Sequence, residues 1–296
     1  MDLCWYTHSV KALSTPRPGH RLSIGESLLN CNACGYLGRD GDAFCYSCGK
    51  RLASQEPESH TQIEAASGAV PWRGGQVALG ILLILVFVLP VTGIAILMGK
   101  LAGRFEQALA VWESSHLMGF AIIIVVWRLG LHPRRISLSS LGFVAPATWW
   151  PLTVLFALLA LIGSLAFTWG YASLVDLLDL HQRWGPPEIP DGIVFPGVAA
   201  LVTYEALAVW TPLTEEIFFR GFVFAGLAPR LGIPRAIIVS ALVFSAFHLS
   251  IGVLVPIFVT GILLAWLYHR TGSLWPGIAA HAGQNALAVS AVIIGG

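Results

Sequence analysis

Two adjacent glutamates and an arginine stand inside the most hydrophobic part of this chain, in the stretch P-L-T-E-E-I-F-F-R-G from Pro212 to Gly221. A charge at bilayer depth is costly, and such residues usually face the interior of a helix bundle and carry a function there. On a helix, Glu216 and Arg220 are four residues apart and share a face, where they can neutralise each other. Glu215 points about 100° away from Glu216. One carboxylate can therefore be held by the arginine while its neighbour stays free for chemistry.

Two further polar motifs follow on apolar segments. V-F-S-A-F-H places Phe244 and His248 four residues apart, and H-A-G-Q-N does the same for His281 and Asn285. Each i, i+4 pair falls on one face of a helix. With the glutamates, these residues are the ingredients of a site that activates water. A carboxylate and an imidazole take a proton from water, and a second imidazole and an amide donate hydrogen bonds to the oxyanion that develops.

Each of these elements also has a purely structural explanation. Glu216 and Arg220 are also compatible with a buried ion pair that has only a structural role, and His248 is compatible with a hydrogen-bonded interior histidine. His281 and Asn285 are compatible with hydrogen bonds between helices, as polar groups in membrane bundles form. The co-occurrence of all of them on three neighbouring segments favours a site. Four other ionisable residues have no partner at a useful spacing and are expected to be structural: Glu113, His116, Glu205 and His269.

A cysteine-rich segment precedes the hydrophobic region. It holds two C-x2-C pairs, each followed by a glycine: Cys31, Cys34, Cys45 and Cys48. Four thiolates that converge on one ion form a tetrahedral zinc site, and so short a module needs the metal for its folding energy. We expect a zinc ribbon over residues 31–52 that binds one structural zinc and offers a surface to a protein partner; two disulfides are the alternative. A disordered tail over residues 1–30 and a polar linker over residues 53–75 are expected to flank it.

The composition is that of a polytopic membrane protein. Of the 296 residues 56% are hydrophobic and 11% are charged, with a net charge of +1, whereas an ordinary soluble domain has roughly 25% charged residues. No basic run interleaved with aromatics indicates nucleic acid. We predict an all-α fold in which residues 76–296 form a transmembrane helix bundle of seven spans, or eight if residues 214–227 form a separate helix. The expected spans are Val77–Met98, Ala108–Trp127, Trp149–Val175, Phe195–Leu213, Ile237–Leu249, Val253–Tyr268 and Leu274–Ile294.

The distribution of Lys and Arg predicts the orientation in the membrane. With a cytoplasmic N-terminus and seven spans, only Lys100, Arg104 and Arg183 of the 17 basic residues lie on the outer side. We therefore expect an integral protein of the cell membrane whose N-terminus is cytoplasmic. In that reducing compartment thiolates bind metal and disulfides are rare, which agrees with the zinc interpretation of the cysteines.

The ordered set E-E-x-x-x-R, F-x-x-x-H and H-x-x-x-N resembles the CAAX protease and bacteriocin-processing (CPBP, or Abi) family of intramembrane endopeptidases. The flanking residues fit as well, with a proline before the glutamates, F-R-G after them, and S-L-W-P-G-I-A-A-H leading into the last motif. The resemblance covers residues 195–296, roughly a third of the chain. It implies a peptidase-like core whose site residues have these roles: Glu215 and His248 activate water, His281 and Asn285 stabilise the oxyanion, and Glu216 and Arg220 orient and support.

The function that the resemblance implies is hydrolysis of a peptide bond in a membrane-associated peptide or protein, without a catalytic metal. The positive-inside topology places the Glu215 end of its helix, and with it the expected cleavage, near the cytoplasmic face. One alternative is a catalytic zinc bound by a glutamate and two histidines, although no helix bears the spacing H-E-x-x-H. Another alternative is a non-catalytic membrane scaffold or regulator, similar to a bacteriocin self-immunity protein, that recruits a partner through the zinc ribbon. A transporter is disfavoured because the sequence has no internal repeat with paired broken helices.

Overall fold

The computed structural model describes residues 28–30, 34, 36–39, 47, 70–101, 104–185 and 191–295. The chain separates into two compact units, Met1–Gln62 and Ile63–Gly296. Most of the expected tail and linker, and three of the four ribbon cysteines, lie outside the described residues. The expectations for those segments therefore stay predictions.

The described part of the first unit contains a short antiparallel hairpin. Its strands are β1 (Leu28–Asn30) and β2 (Leu37–Arg39), and Leu29 lies opposite Gly38 at the centre of the pairing. Residues 31–36, which include the first C-x2-C pair, connect the two strands. β1 ends directly before Cys31, where the expected ribbon begins. A strand this short has no hydropathy period of its own and is defined by its cross-strand partner, so the sequence alone does not predict it.

The described part of the second unit is helical apart from short connections. Its α-helices are α1 (Gly74–Leu101), α2 (Arg104–Val126), α3 (Trp150–Leu177), α4 (His181–Trp184), α5 (Ala200–Tyr204), α6 (Thr211–Glu216), α7 (Ala225–Leu231), α8 (Ile233–Ala246), α9 (Ile251–Thr271) and α10 (Trp275–Gly295). Three segments are π-helical: Trp127–Leu131, Glu205–Trp210 and Ile217–Phe224. Short 3-10 turns occur at His132–Arg134, Leu138–Leu141, Asp191–Ile193 and Gly197–Ala199.

Among the described residues, five helical stretches are long and apolar enough to cross a membrane. They are Gly74–Ile94, Gln107–Arg134, Trp150–Leu177, Ile251–Thr271 and Trp275–Gly295. These stretches correspond to the first, second, third, sixth and seventh expected spans. Most of the fourth expected span lies in the helical path Ala200–Leu231, and most of the fifth lies in α8, which has only 14 residues. The fold is thus a helical membrane bundle with five candidate spans, and the total of seven or eight is not confirmed.

The helical path Ala200–Leu231 is continuous, although π turns replace the α-helix twice along it. It passes through Pro212 without a break, so residues 214–227 extend the fourth hydrophobic stretch and do not form a separate helix. Proline has no backbone N–H to donate, and the N–H of Thr211 reaches back to the carbonyl of Ala206. Wide turns of this kind are frequent at functional sites. Here the second one directly follows the glutamate pair.

The π segment Ile217–Phe224 lies in the hydrophobic core of the bundle. All eight of its residues are buried. Phe222 stacks on Trp72 with ring centroids 5.6 Å apart, and Phe219 meets Phe244 edge to face at 4.9 Å. Aromatic side chains bury the largest apolar areas, and edge-to-face pairs add to the stabilisation. The helical turns that directly follow the glutamate pair are therefore tightly packed.

Candidate active site

Glu216 and Arg220 form a buried ion pair. Arg220 donates from Nη1 to Glu216 Oε1 at 2.7 Å, and the two side chains are 0% and 2% exposed, glutamate first. The i, i+4 spacing places them on one face, as expected. Arg220 also donates from Nη2 to the carbonyl of Gly261 at 3.3 Å, and its guanidinium carbon lies 4.4 Å from the ring centroid of Phe244. A buried pair needs such additional partners to offset its desolvation, and they fix the Glu216 carboxylate in place.

His281 lies between the two adjacent carboxylates. Its Nδ1 is 3.1 Å from Glu216 Oε1, and its Nε2 is 3.7 Å from Glu215 Oε2. Because an ionised carboxylate only accepts hydrogen bonds, Nδ1 carries the proton in the contact with Glu216. The ring is 5% exposed. α10 thus places one imidazole against both glutamates of the central helical path.

The two glutamates have different surroundings. The Glu215 side chain is 21% exposed, whereas that of Glu216 is fully buried. Glu215 and His248 line one cavity of about 80 Å³. The other lining residues are apolar: Ile84, Val88, Met118, Ile122, Phe219 and Phe247. A water molecule needs at least about 15 Å³ of such space and polar partners, so this cavity has room and partners for water beside Glu215.

His248 lies in the turn that follows α8, two residues beyond the end of that helix. The spacing from Phe244 predicted a helical position, but the backbone leaves the helix here and Leu249 adopts a left-handed φ of 52°. The side chain still folds back, with Nδ1 3.0 Å from the carbonyl of Phe244. Because a carbonyl accepts, Nδ1 carries the proton and Nε2 keeps its lone pair. His248 can therefore accept a proton or a hydrogen bond through Nε2.

Asn285 does not share a hydrogen bond with either glutamate among the described residues. Its Nδ2 donates to the carbonyl of Leu207 at 2.8 Å. In the π segment, the N–H of Thr211 goes to the carbonyl of Ala206, and Pro212 has no N–H. The Leu207 carbonyl consequently lacks both of its possible helical donors, and the Asn285 amide replaces them.

The site residues do not converge on a single point as metal ligands do. Glu215 and Glu216 contact opposite nitrogens of the same imidazole, so the ring separates the two carboxylates. Within the described ranges, no group of three or more His, Cys, Asp or Glu side chains is arranged to hold a metal ion. Of the ribbon cysteines only Cys34 is described, as an exposed residue in a turn, so the proposed ribbon site lies largely outside the described residues.

A second polar cluster joins α2 to the first π segment of the central path. His116 Nε2 lies 3.2 Å from Glu205 Oε1, and Trp112 donates to Glu205 Oε2 at 3.0 Å. The imidazole also stacks on Trp210 at 5.2 Å. These contacts connect α2 to the π segment Glu205–Trp210, in which the Leu207 carbonyl accepts from Asn285. The spacing along the chain indicates no partner for His116 or Glu205. An ionisable group inside a hydrophobic span needs a tertiary partner, and this need was the available signal.

Gly277 was also missed by sequence reasoning. Glu216 Oε2 is buried and has no hydrogen-bond partner among the described residues. A Cβ placed on Gly277 would lie 3.0 Å from that oxygen. The glycine therefore lets α10 approach the buried carboxylate closely, which brings His281 into reach of it.

A comparison with protein families finds a match in the part of the chain that holds these residues. The family model described as Rce1-like, type II CAAX prenyl endopeptidase Rce1-like, matches residues 197–287. That range contains all six candidate site residues. No curated protein and no solved structure matches the chain. The family match supports a CAAX-type intramembrane protease domain, as the three motifs indicate.

Proposed function

We propose that this protein is an intramembrane endopeptidase that hydrolyses a peptide bond in a membrane-associated peptide or protein, with water activated by Glu215 and His248. The observation that carries the proposal is the cavity these two side chains share. They are the ionisable groups of its lining. The Rce1-like match over residues 197–287 supports the same class of reaction.

In the proposed reaction, Glu215 takes one proton from a water molecule held in the cavity. The water oxygen attacks the carbonyl carbon of the scissile bond, and the carbonyl oxygen becomes an oxyanion. His248 orients the water by accepting a hydrogen bond from its second O–H through Nε2. The proton on Glu215 then passes to the amide nitrogen as the carbon–nitrogen bond breaks. One water is consumed, and the products are a carboxylic acid and an amine.

His281 and Asn285 are the proposed donors to the oxyanion. The Asn285 amide uses one N–H on the Leu207 carbonyl and has a second N–H to give. His281 uses Nδ1 on Glu216, so donation to the oxyanion requires a proton on Nε2 as well. Preorganised donors of this type contribute a large share of the rate in acyl transfer. Glu216 and Arg220 support the site by holding that imidazole.

The test is cleavage of candidate membrane-associated peptides by the reconstituted full-length protein. We expect Glu215→Gln and His248→Ala each to lower the turnover rate at least about 100-fold, the range for loss of a general acid or base. Glu113→Gln is the matched control, because it removes an exposed carboxylate of α2. Each variant is first shown to keep the wild-type elution profile and melting temperature. Cleavage by Glu215→Gln at the wild-type rate would reject the assignment, and absence of cleavage by every form would favour the non-catalytic scaffold.

The proposed mechanism is independent of a catalytic metal, because Glu215 itself takes the proton from water in the cavity that it shares with His248. A variant that lacks the ribbon residues distinguishes the alternatives. Its activity should survive prolonged treatment with a strong zinc chelator. Activity that is lost on chelation and returns with added zinc would establish a metallopeptidase instead.

We also propose that Cys31, Cys34, Cys45 and Cys48 bind one zinc in the cytoplasm and that this ribbon recruits a protein partner. The chain reversal between β1 and β2, the strands on either side of the first C-x2-C pair in the sequence, supports the proposal. Elemental analysis of the purified protein should give one zinc per chain. Replacement of Cys34 by Ser should lower that content, while a disulfide-bonded segment would contain no zinc at all.

A further inference from the structure

A second and larger cavity lies where the ends of several helices meet, apart from the cavity of Glu215 and His248. Its volume is about 820 Å³, within the range of about 300–1,000 Å³ that is usual for ligand sites. It shares no lining residue with the smaller cavity. None of the proposed reaction steps uses it.

The wall of this cavity is held by specific contacts. Tyr268 donates from its hydroxyl to the carbonyl of Leu141 at 3.2 Å, and its ring meets Phe224 edge to face at 5.8 Å. Gly142, with φ of 100°, passes so close that a Cβ there would lie 2.6 Å from the Tyr268 ring. Its carbonyl accepts from the N–H of Leu274 at 2.9 Å. These contacts tie three segments of the chain together, so the space is preformed.

The lining combines an apolar surface with unused hydrogen-bond donors. The apolar part includes Ala228 and Ile233, whereas Ser139, Ser140 and His269 provide polar groups. Within the described part of the chain, these three polar side chains make no hydrogen bond. Two hydroxyls and an imidazole are therefore available to an acceptor such as a phosphate oxygen.

The stretches that supply the lining from Ser139 onward are basic and contain no carboxylate. The sequence has no Asp or Glu between residues 114 and 175 or between residues 217 and 296. Arg230 and Arg270 directly follow the lining residues Pro229 and His269, and both arginines are exposed. Further exposed arginines in these segments are Arg128, Arg134, Arg135 and Arg235. An excess of like charges in neighbouring segments of a bundle attracts an anion.

We propose that this cavity binds an anionic phospholipid. The phosphate accepts hydrogen bonds from Ser139, Ser140 and His269, and the arginines beside the rim supply the opposite charge. The adjoining apolar part of the lipid packs on the apolar lining around Phe224. Basic pockets between membrane helices bind anionic headgroups in this way. A free phosphate would leave the apolar lining uncovered, which is why a lipid is the better occupant.

The experiment uses purified full-length protein in a neutral detergent. Phosphatidylglycerol and phosphatidylcholine with the same acyl chains are titrated separately, and thermal unfolding and native mass spectrometry report binding. We expect phosphatidylglycerol to raise the melting temperature saturably, since a ligand that binds only the folded state stabilises it. Phosphatidylcholine and inorganic phosphate should give little or no rise at the same concentrations.

Variants then locate the site. Arg230→Gln combined with Arg270→Gln should weaken phosphatidylglycerol binding about 30-fold, from the effect of two charges near a membrane surface. Arg183→Gln is the matched control, because it removes an exposed arginine near α4. Ala228→Trp should weaken binding by filling the cavity while every charge remains. Each variant is compared only if its lipid-free melting temperature is close to that of the wild type.

The proposal is overturned if both lipids stabilise the protein equally. It is also overturned if Arg183→Gln weakens binding as much as the double variant does, because that result would mean charge attraction to the whole surface. An equal effect of inorganic phosphate would indicate an anion site without a lipid. The lipid-binding result does not depend on peptidase activity, so it tests this proposal separately from the proposed reaction.

Discussion

Replacement of Arg220 by Met removes a buried cation from beside a buried carboxylate. The methionine keeps much of the length and apolar area of the arginine stem, but it loses the 2.7 Å contact with Glu216 and the 3.3 Å bond to the carbonyl of Gly261. It also removes the guanidinium from the face of Phe244. Glu216 is then left with His281 as its hydrogen-bond partner among the described residues.

The expected cost is large because neither member of the pair is exposed to solvent. Their side chains are 2% and 0% exposed, arginine first. Breaking a buried ion pair by removing one partner costs about 3–5 kcal/mol in the free energy of unfolding, since an uncompensated charge remains. Replacement of an exposed arginine such as Arg183 should change that free energy by at most about 0.5 kcal/mol.

The assay is a double-mutant cycle on the purified protein in detergent micelles, followed by denaturant unfolding. Arg220→Met, Glu216→Gln, the double variant and Arg183→Met are compared with the wild type. The double variant carries neither buried charge, so it should recover about 1–3 kcal/mol relative to the sum of the two single losses, as expected for residues in contact.

Two results would refute this reasoning. One is a loss below about 1 kcal/mol for Arg220→Met, which would mean that water reaches the pair in solution. The other is a double variant whose loss equals the sum of the single losses, which would mean that the two side chains do not stabilise each other.

Two further predictions concern the way α10 meets the central helical path. Gly277→Ala should destabilise the protein despite the better helix propensity of Ala. The new Cβ would lie 3.0 Å from Glu216 Oε2, and Arg220 and His281 hold the Glu216 carboxylate in place. The control is Gly170→Ala, where no atom lies within 4 Å of the new Cβ, and this variant should be neutral or stabilising in thermal unfolding. Asn285→Ala should cost about 1–3 kcal/mol by leaving the Leu207 carbonyl unpaired, and adding Pro212→Ala, which restores a backbone N–H, should recover part of that loss. A loss that Pro212→Ala fails to reduce would show that Asn285 stabilises the protein by another contact.

The local part of the site was accessible from the sequence. The Glu216–Arg220 pair depends only on a helix and a spacing of four residues, and the structure contains it. The CAAX-type protease resemblance depends on three short motifs, and the family match covers them. The roles of the six site residues stay predictions until the cleavage assay is done.

The prediction of seven spans was less secure, because hydropathy alone does not show where a helix ends. α8 is short because it begins directly after Gly232, which has a φ of 74°, with Pro234 as its second residue, and because the left-handed residue Leu249 follows its end. The same turn places His248 outside the helix. A run of apolar residues does not itself show where α8 ends or that His248 lies beyond that end.

Hydrophobicity and helical spacing are local properties, so they predict an apolar helical bundle with charged groups confined to a few positions. Which distant residues meet depends on how the helices pack. In the folded protein, His281 lies between Glu215 and Glu216, and Glu215 and His248 line one cavity. Asn285 donates to the Leu207 carbonyl, which receives no backbone N–H from Pro212. Those contacts join separate helices, and only packing fixes the rotation and depth of one helix against another.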